Sequence, residues 1–227
     1  MFRSVNVNLY VVTLFMASDL TDQPSDEVLV QRAQTGALDA FEALTTRHER
    51  QVYSLVLRML RQEQDAEDVT QQTFLSAMEN LAAFRGESSF STWLLRIATH
   101  AALKVIRKRK GLDTVSYDAA TEERDDFNQV PHPDFIADWR QTPEQLAQNN
   151  EVQRLVDDAL AQLEEKHRLV FLLRDVEGLS VRETAEALEL SEANVKVRLL
   201  RARLQLREQL TQVLGDPATR LIRSHSH

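Results

Sequence analysis

Residues 179–203 read LSVRETAEALELSEANVKVRLLRAR. Ser180 followed three residues later by Glu183 is a capping box, so a helix starts there. Val181, Ala185 and Leu188 form its apolar stripe, and the helix ends near Glu189. Ser191 caps a second helix, and Leu190 is placed to pack on Val195 as a hydrophobic staple. Two helices joined by about three residues make a helix-turn-helix. In the second helix Val195, Leu199, Ala202 and Leu206 recur at core-facing steps. Asn194, Arg198 and Arg201 line one flank, and Lys196, Arg203 and Arg207 the other. Basic flanks with an apolar back fit a major groove: early residues reach base edges and later arginines hold phosphates. The plain alternative is a solvated amphipathic helix rich in arginine. One residue departs from the motif: Glu189 stands where the turn commonly uses glycine. That implies either another turn geometry or a left-handed residue held at modest cost.

The rest of the chain agrees with an all-α protein of two small helical domains joined by an acidic flexible linker. Its 227 residues contain only five glycines and five prolines, which favours helix over sheet. The absence of cysteine excludes disulfides and thiolate metal sites and fits a reducing, cytoplasmic setting. Residues 1–25 form an N-terminal extension. Its apolar run from Leu9 to Ala17 is too short to span a bilayer. It reads as disordered or as lying upstream of a true start at Met16, the latter preferred. From Asp26 to Lys110 apolar residues recur at three- and four-residue steps, as in Val30, Ala33, Ala37, Phe41 and Leu44. Residues 111–143 lose that period, contain Pro131, Pro133 and Pro143, and set eight carboxylates against Arg124 and Arg140. Such a stretch is a tether, although Phe127, Phe135, Ile136 and Trp139 suggest that it docks on something. Helices return from Glu144 and carry the second domain to residue 212, before a tail over 213–227.

The formal net charge is −8, yet residues 91–110, STWLLRIATHAALKVIRKRK, end in a basic cluster. Thr92, Arg96, His100, Lys104 and Arg107 or Lys108 form one polar, increasingly basic stripe. Trp93, Ile97, Ala101 and Val105 form a neighbouring apolar stripe expected to face a core. Upstream, Phe84 to Trp93 is a glycine-marked loop of aromatics beside hydroxyls. Aromatics with cations make a platform for unstacked bases. The plain alternatives are core packing for Phe90 and Trp93, and helix-dipole complement for the cations. Residues 65–84 form another amphipathic helix, with Val69, Phe74, Ala77 and Leu81 inward and Asp65, Asp68, Gln71 and Gln72 exposed.

Taken in order, DAEDVTQQTF, FRGESSFSTWLLRIAT, the basic helix end, the acidic linker, TPEQLA, LRDVEGLSVRETAEAL and NVKVRLLRARLQLRE resemble the bacterial RNA polymerase sigma factors. The similarity is to the small extracytoplasmic-function (ECF) group of the sigma-70 family and covers residues 26–210. It implies a region 2-like domain over 26–110, a linker over 111–143 that threads through the polymerase, and a region 4-like domain over 144–212. It implies that Asp65, Asp68, Gln71 and Gln72 contact the clamp helices of the polymerase's largest subunit. It places Ser88, Phe90, Ser91, Thr92, Trp93, Arg96, His100, Lys104, Arg107 and Lys108 near the non-template strand of the −10 element. It assigns the −35 element to Arg182, Ser191, Glu192, Asn194, Lys196, Arg198, Arg201 and Arg203. Family members often carry Asn where this chain has His100. A protonated His100 adds charge there, so promoter opening is expected to gain from its protonation.

The implied partners are core RNA polymerase, promoter DNA and a cognate anti-sigma factor, with no stable membrane insertion. The implied role is initiation in a stress or envelope response. Flipped −10 bases held on the first domain would offset an unpairing cost of a few kcal/mol. No cofactor, metal site or catalysis is expected. The chain lacks the phosphate-binding pattern GxxxxGK[ST], and its six histidines lack zinc-ligand spacing. The rival reading is a helix-turn-helix regulator with an N-terminal sensor or dimerisation domain, which the aromatic-hydroxyl loop and basic helix disfavour. In the free chain the acidic linker is expected to lie over a basic helix and weaken DNA binding.

Overall fold

The computed structural model describes residues 24–111 and 150–214, and every regular element among them is helical. The first domain contains α1 (Asp26–Gln34), α2 (Leu38–Leu60), α3 (Glu63–Asn80), a short 3-10 turn (Leu81–Ala83) and α4 (Phe90–Arg109). The second contains α5 (Asn150–Gln162), α6 (Glu165–Phe171) running into a wide π turn (Leu172–Val176), α7 (Val181–Leu188) and α8 (Glu192–Leu214). The extension, the linker and the tail fall outside the described residues, as does the helix start expected at Glu144.

α2 is the spine of the first domain. Its buried residues Leu44, Val52, Leu55, Val56 and Met59 follow the three- and four-residue steps that keep one face on a core. Ala66 and Ala77 on α3 and Ala98 and Ala102 on α4 are fully buried. Small side chains at these crossings let the helix axes approach closely. Gly36 ends α1 at φ 95°, and the Ala37 amide reaches back to the Arg32 carbonyl. This is the left-handed helix stop that glycine adopts without strain. At the far end, Arg109 donates to the Leu60 carbonyl, to Gln62 and to Asp65. One guanidinium thereby clasps the tip of α4 to the α2–α3 turn.

The apolar stripe of α4 differs from the expected one. Leu94, Leu95, Ala98, Ala102, Leu103 and Ile106 are buried, whereas Trp93, Ile97, Ala101 and Val105 pack only half-buried against the core. Apolar residues cover well over half of this helix's circumference, so a four-residue step finds a stripe without finding its centre. In the second domain Leu160, Leu169, Leu172, Leu173, Leu188, Val195 and Ala202 form the core.

The two domains lie against each other. Arg58 meets Asp157 at 3.2 Å, Arg96 meets Glu186 at 3.1 Å, Arg107 meets Glu189 at 2.6 Å and Lys110 meets Glu165 at 2.8 Å. Arg61 donates to the Ala161 carbonyl, and Gln51 donates to Glu177 at 2.8 Å.

Candidate nucleic-acid and polymerase interfaces

The helix-turn-helix follows from its caps. Ser180 Oγ accepts from the Glu183 amide at 3.1 Å, and the Ser180 amide donates to the Glu183 carboxylate at 2.7 Å. Hydrogen bonding from the Ser180 side chain and from the Ser180 amide holds the Glu183 carboxyl below its ordinary range. Ser191 Oγ accepts from the Asn194 amide at 3.2 Å, and both staple residues, Leu190 and Val195, are buried. Between the helices Glu189 takes the left-handed conformation, φ 56° and ψ 43°. The Leu190 amide bonds the Ala185 carbonyl and the Glu189 amide the Glu186 carbonyl, which closes a Schellman stop. Of the two alternatives for this turn, the strained residue is the one realised.

On α8, Val195, Leu199, Ala202 and Leu206 are buried. Ser191, Glu192, Lys196 and Arg203 are exposed, while Asn194 and Arg201 are half-buried. Arg203 is held by both oxygens of Asp175 at 2.7 Å, an arrangement made possible by the π turn that carries Asp175. Arg198 departs from its expected place on an open flank and is only 2% exposed. It stands one step from Ala202 on the helical wheel, at the margin of the core-facing sector. Arg182 on α7 is exposed and pairs with Glu186 at 3.0 Å.

On α4, Ser89 caps the helix by accepting from the Thr92 amide. The basic stripe divides. His100, Lys104 and Lys108 face solvent, while Arg96 and Arg107 reach across to α7. Ser88, Ser91 and Thr92 are half-buried. Phe90 also departs from the expected set. At 3% exposure it offers no ring face to a base; it packs on His48, Phe84 and Trp93 with centroids 5.4, 6.1 and 5.8 Å away. Trp93 stays half-open with its ring 4.9 Å from Phe84. It is the more accessible aromatic beside the cationic face.

Three supports under this loop carry no local sequence signal. Gln34 donates to the Leu81 and Phe84 carbonyls, each at 2.9 Å, fixing the turn that leads into the aromatic loop. His48 is buried and bonded to Asp26 at 2.8 Å, and the same carboxylate holds Arg47. Ser91 donates to Gln51, which in turn donates to Glu177.

On α3, Asp68, Gln71 and Gln72 are exposed, while Asp65 is engaged by Arg109. Leu75 and Met78, 58% and 48% exposed, continue the same outer face at i+4 and i+7 from Gln71. A polarity-based reading overlooks these two, because exposed apolar residues on an amphipathic helix look like part of its buried stripe. A shallow groove beside them, between α2 and α3, is lined by Glu49, Arg50, Tyr53, Glu67, Thr70 and Gln71.

Among the described residues no cluster of three or more His, Cys, Asp or Glu could hold a metal ion, and no helix is long and apolar enough to cross a membrane.

Comparison with known proteins gives a consistent answer. The family model for sigma-70 region 2 matches residues 44–111, and that for sigma-70 region 4 matches residues 153–206. The ECF RNA polymerase sigma-E factor of Haemophilus influenzae is 30% identical over 195 residues, 86% of this chain and 100% of that protein. The RNA polymerase sigma-H factor of Pseudomonas aeruginosa is 32% identical, over 86% of this chain and 98% of its own. Among solved structures, CnrH in complex with the cytosolic domain of CnrY superposes with a TM-score of 0.54 at 26% identity. That match covers 82% of this chain and 97% of the other. The chain therefore belongs to the ECF group of the sigma-70 family, the RNA polymerase sigma factors that direct promoter-specific transcription initiation.

Proposed function

We propose that the two exposed cationic helices divide promoter recognition between them. The observation that carries this reading is the segregation of charge. A chain of net charge −8 nonetheless presents His100, Lys104 and Lys108 on α4 and Lys196 on α8 to solvent. On α8 and its cap, Ser191, Glu192, Asn194, Lys196 and Arg201 address the −35 duplex. Arg182 and Arg203 supply phosphate contacts once released from their own carboxylates. On α4, Trp93 and the His100–Lys108 face hold bases extruded from the −10 element. Ser88, Ser91 and Thr92 lie beside them, and Arg96 and Arg107 add phosphate contacts. Phe90 and Arg198 are scaffold in this scheme, because both are buried.

The outer face of α3 docks on core polymerase through Asp68, Gln71 and Gln72, with Leu75 and Met78 as its apolar part. Mixed polar and apolar faces of this kind suit a separable protein interface. The chain acts in the cytoplasm, catalyses nothing itself, and serves a stress or envelope response under a cognate anti-sigma factor. Solved CnrH carries a bound partner protein, and the same is proposed for this chain.

Run-off transcription with core polymerase on genomic fragments tests the scheme. The expected result is discrete starts that share −10 and −35 sequences and depend on this chain. Lys104→Ala with Lys108→Ala should lower open-complex yield and flatten its salt dependence. Core polymerase that gives no chain-dependent starts would refute the assignment.

A further inference from the structure

We propose that the acidic face of the second domain is a built-in competitor for DNA, closing the free chain over its own strand-capture helix. Among the described residues, the four ion pairs identified between the domains share one sense. Arg58, Arg96, Arg107 and Lys110 come from the first domain, and Asp157, Glu186, Glu189 and Glu165 from the second. A random apposition of two mixed surfaces has no reason to sort its charges in this way.

Two of the four cations, Arg96 and Arg107, belong to the stripe of α4 assigned to the −10 strand, and α7 occupies them. A further observation concerns Glu189. It holds the left-handed turn of the helix-turn-helix, where glycine costs least, and its carboxylate bonds Arg107 at 2.6 Å. The position that tolerates a side chain least thus carries one that reaches the other domain.

Partly exposed ion pairs are individually weak and screened by salt. Closure of this kind yields when a polymerase surface or a promoter competes for the same cations. The carboxylates of α5, of α6 and of α7 with its Glu189 cap therefore mask α4, whereas the linker, of which the same is expected, lies outside the described residues. Closure itself stands on geometry alone; its effect on DNA rests on reading α4 as the strand surface.

The chain has no cysteine, so cysteines introduced at the exposed positions Glu79 and Glu208 can carry a fluorescence transfer pair in the full-length protein. Transfer should fall as salt rises from about 50 mM to about 500 mM. Glu186→Gln with Glu189→Gln should raise the open-to-closed ratio about fivefold at low salt. Arg107→Glu alone should open the chain, and Arg107→Glu with Glu189→Arg should close it again. In parallel, the double glutamine variant should bind a short single-stranded oligonucleotide about fivefold more tightly than the parent. Lys104→Ala with Lys108→Ala should abolish that gain.

Transfer that ignores salt and charge reversal overturns the closure. The two failures on the DNA side look different. If α4 is not a strand surface, the oligonucleotide binds neither open nor closed chains through Lys104 and Lys108. If closure does not mask it, open and closed chains bind equally.

Discussion

Glu189 shows how much one residue can carry. Its backbone sits at φ 56°, a conformation that costs an L residue about 1–2 kcal/mol, and its side chain bonds Arg107. Glycine and alanine separate the two effects, since both lose the ion pair but only glycine relieves the backbone. Glu189→Gly is expected to exceed Glu189→Ala in unfolding free energy by about 1 kcal/mol, measured by urea denaturation. Equal values would mean that the turn relaxes without strain. His100 poses a chemical question instead. It is exposed on α4 between Arg96 and Lys104, on the proposed strand face. His100→Ala should lower open-complex yield, and His100→Asn, which can still donate and accept a hydrogen bond, should retain it. Equal yields in all three would remove the side chain from the mechanism.

Among the elements, the parts legible in the sequence are those whose partners lie within a turn or two. The Ser180–Glu183 box, the Ser191 cap and the α8 core stripe all depend on spacings of three or four residues. What was not legible depends on neighbours far along the chain. Nothing near Gln34 announces that it will hold the Leu81 and Phe84 carbonyls. Nothing near Arg198 says that other helices will enclose it. The apolar centre of α4 differs from the expected stripe for the same reason, because three helices and α7 decide which part of a broadly apolar surface is covered. Gln34 also gives a prediction at this scale. Gln34→Ala takes the side-chain donor from the Phe84 carbonyl and one of two donors from the Leu81 carbonyl, which keeps the Phe84 amide, at a cost of about 1 kcal/mol. The turn leads directly to the Phe84–Trp93 pair, so promoter opening should fall while −35 duplex binding is retained. Loss of both together would point to general unfolding of the first domain rather than a displaced loop.

For the whole molecule, closure carries a pH term that can be isolated. Glu177 leaves the π turn of the second domain and accepts from Gln51 of the first. Burial there raises its carboxyl above the ordinary range, outweighing the Gln51 hydrogen bond and the Arg58 charge. A carboxyl whose affinity for protons is higher in the closed form stabilises that form when protonated. Its contribution is complete below the ordinary glutamic acid pKa of 4.5 and is lost as pH rises through the closed-form value. The ion pairs of Asp157, Glu165, Glu186 and Glu189 also hold the closed form, so the Glu177 contribution is isolated by a difference between variants. Glu177→Gln has the shape of the neutral acid and can still accept from Gln51, so it removes the Glu177 term and leaves the ion pairs intact. The variant is expected to transfer fluorescence more efficiently than the parent at pH 7. The gap should narrow as pH falls toward about 4, where the parent's own carboxyl becomes neutral. A constant gap across that range would mean that Glu177 does not titrate with closure. No gap at any pH would mean that its carboxylate remains solvated in the closed chain.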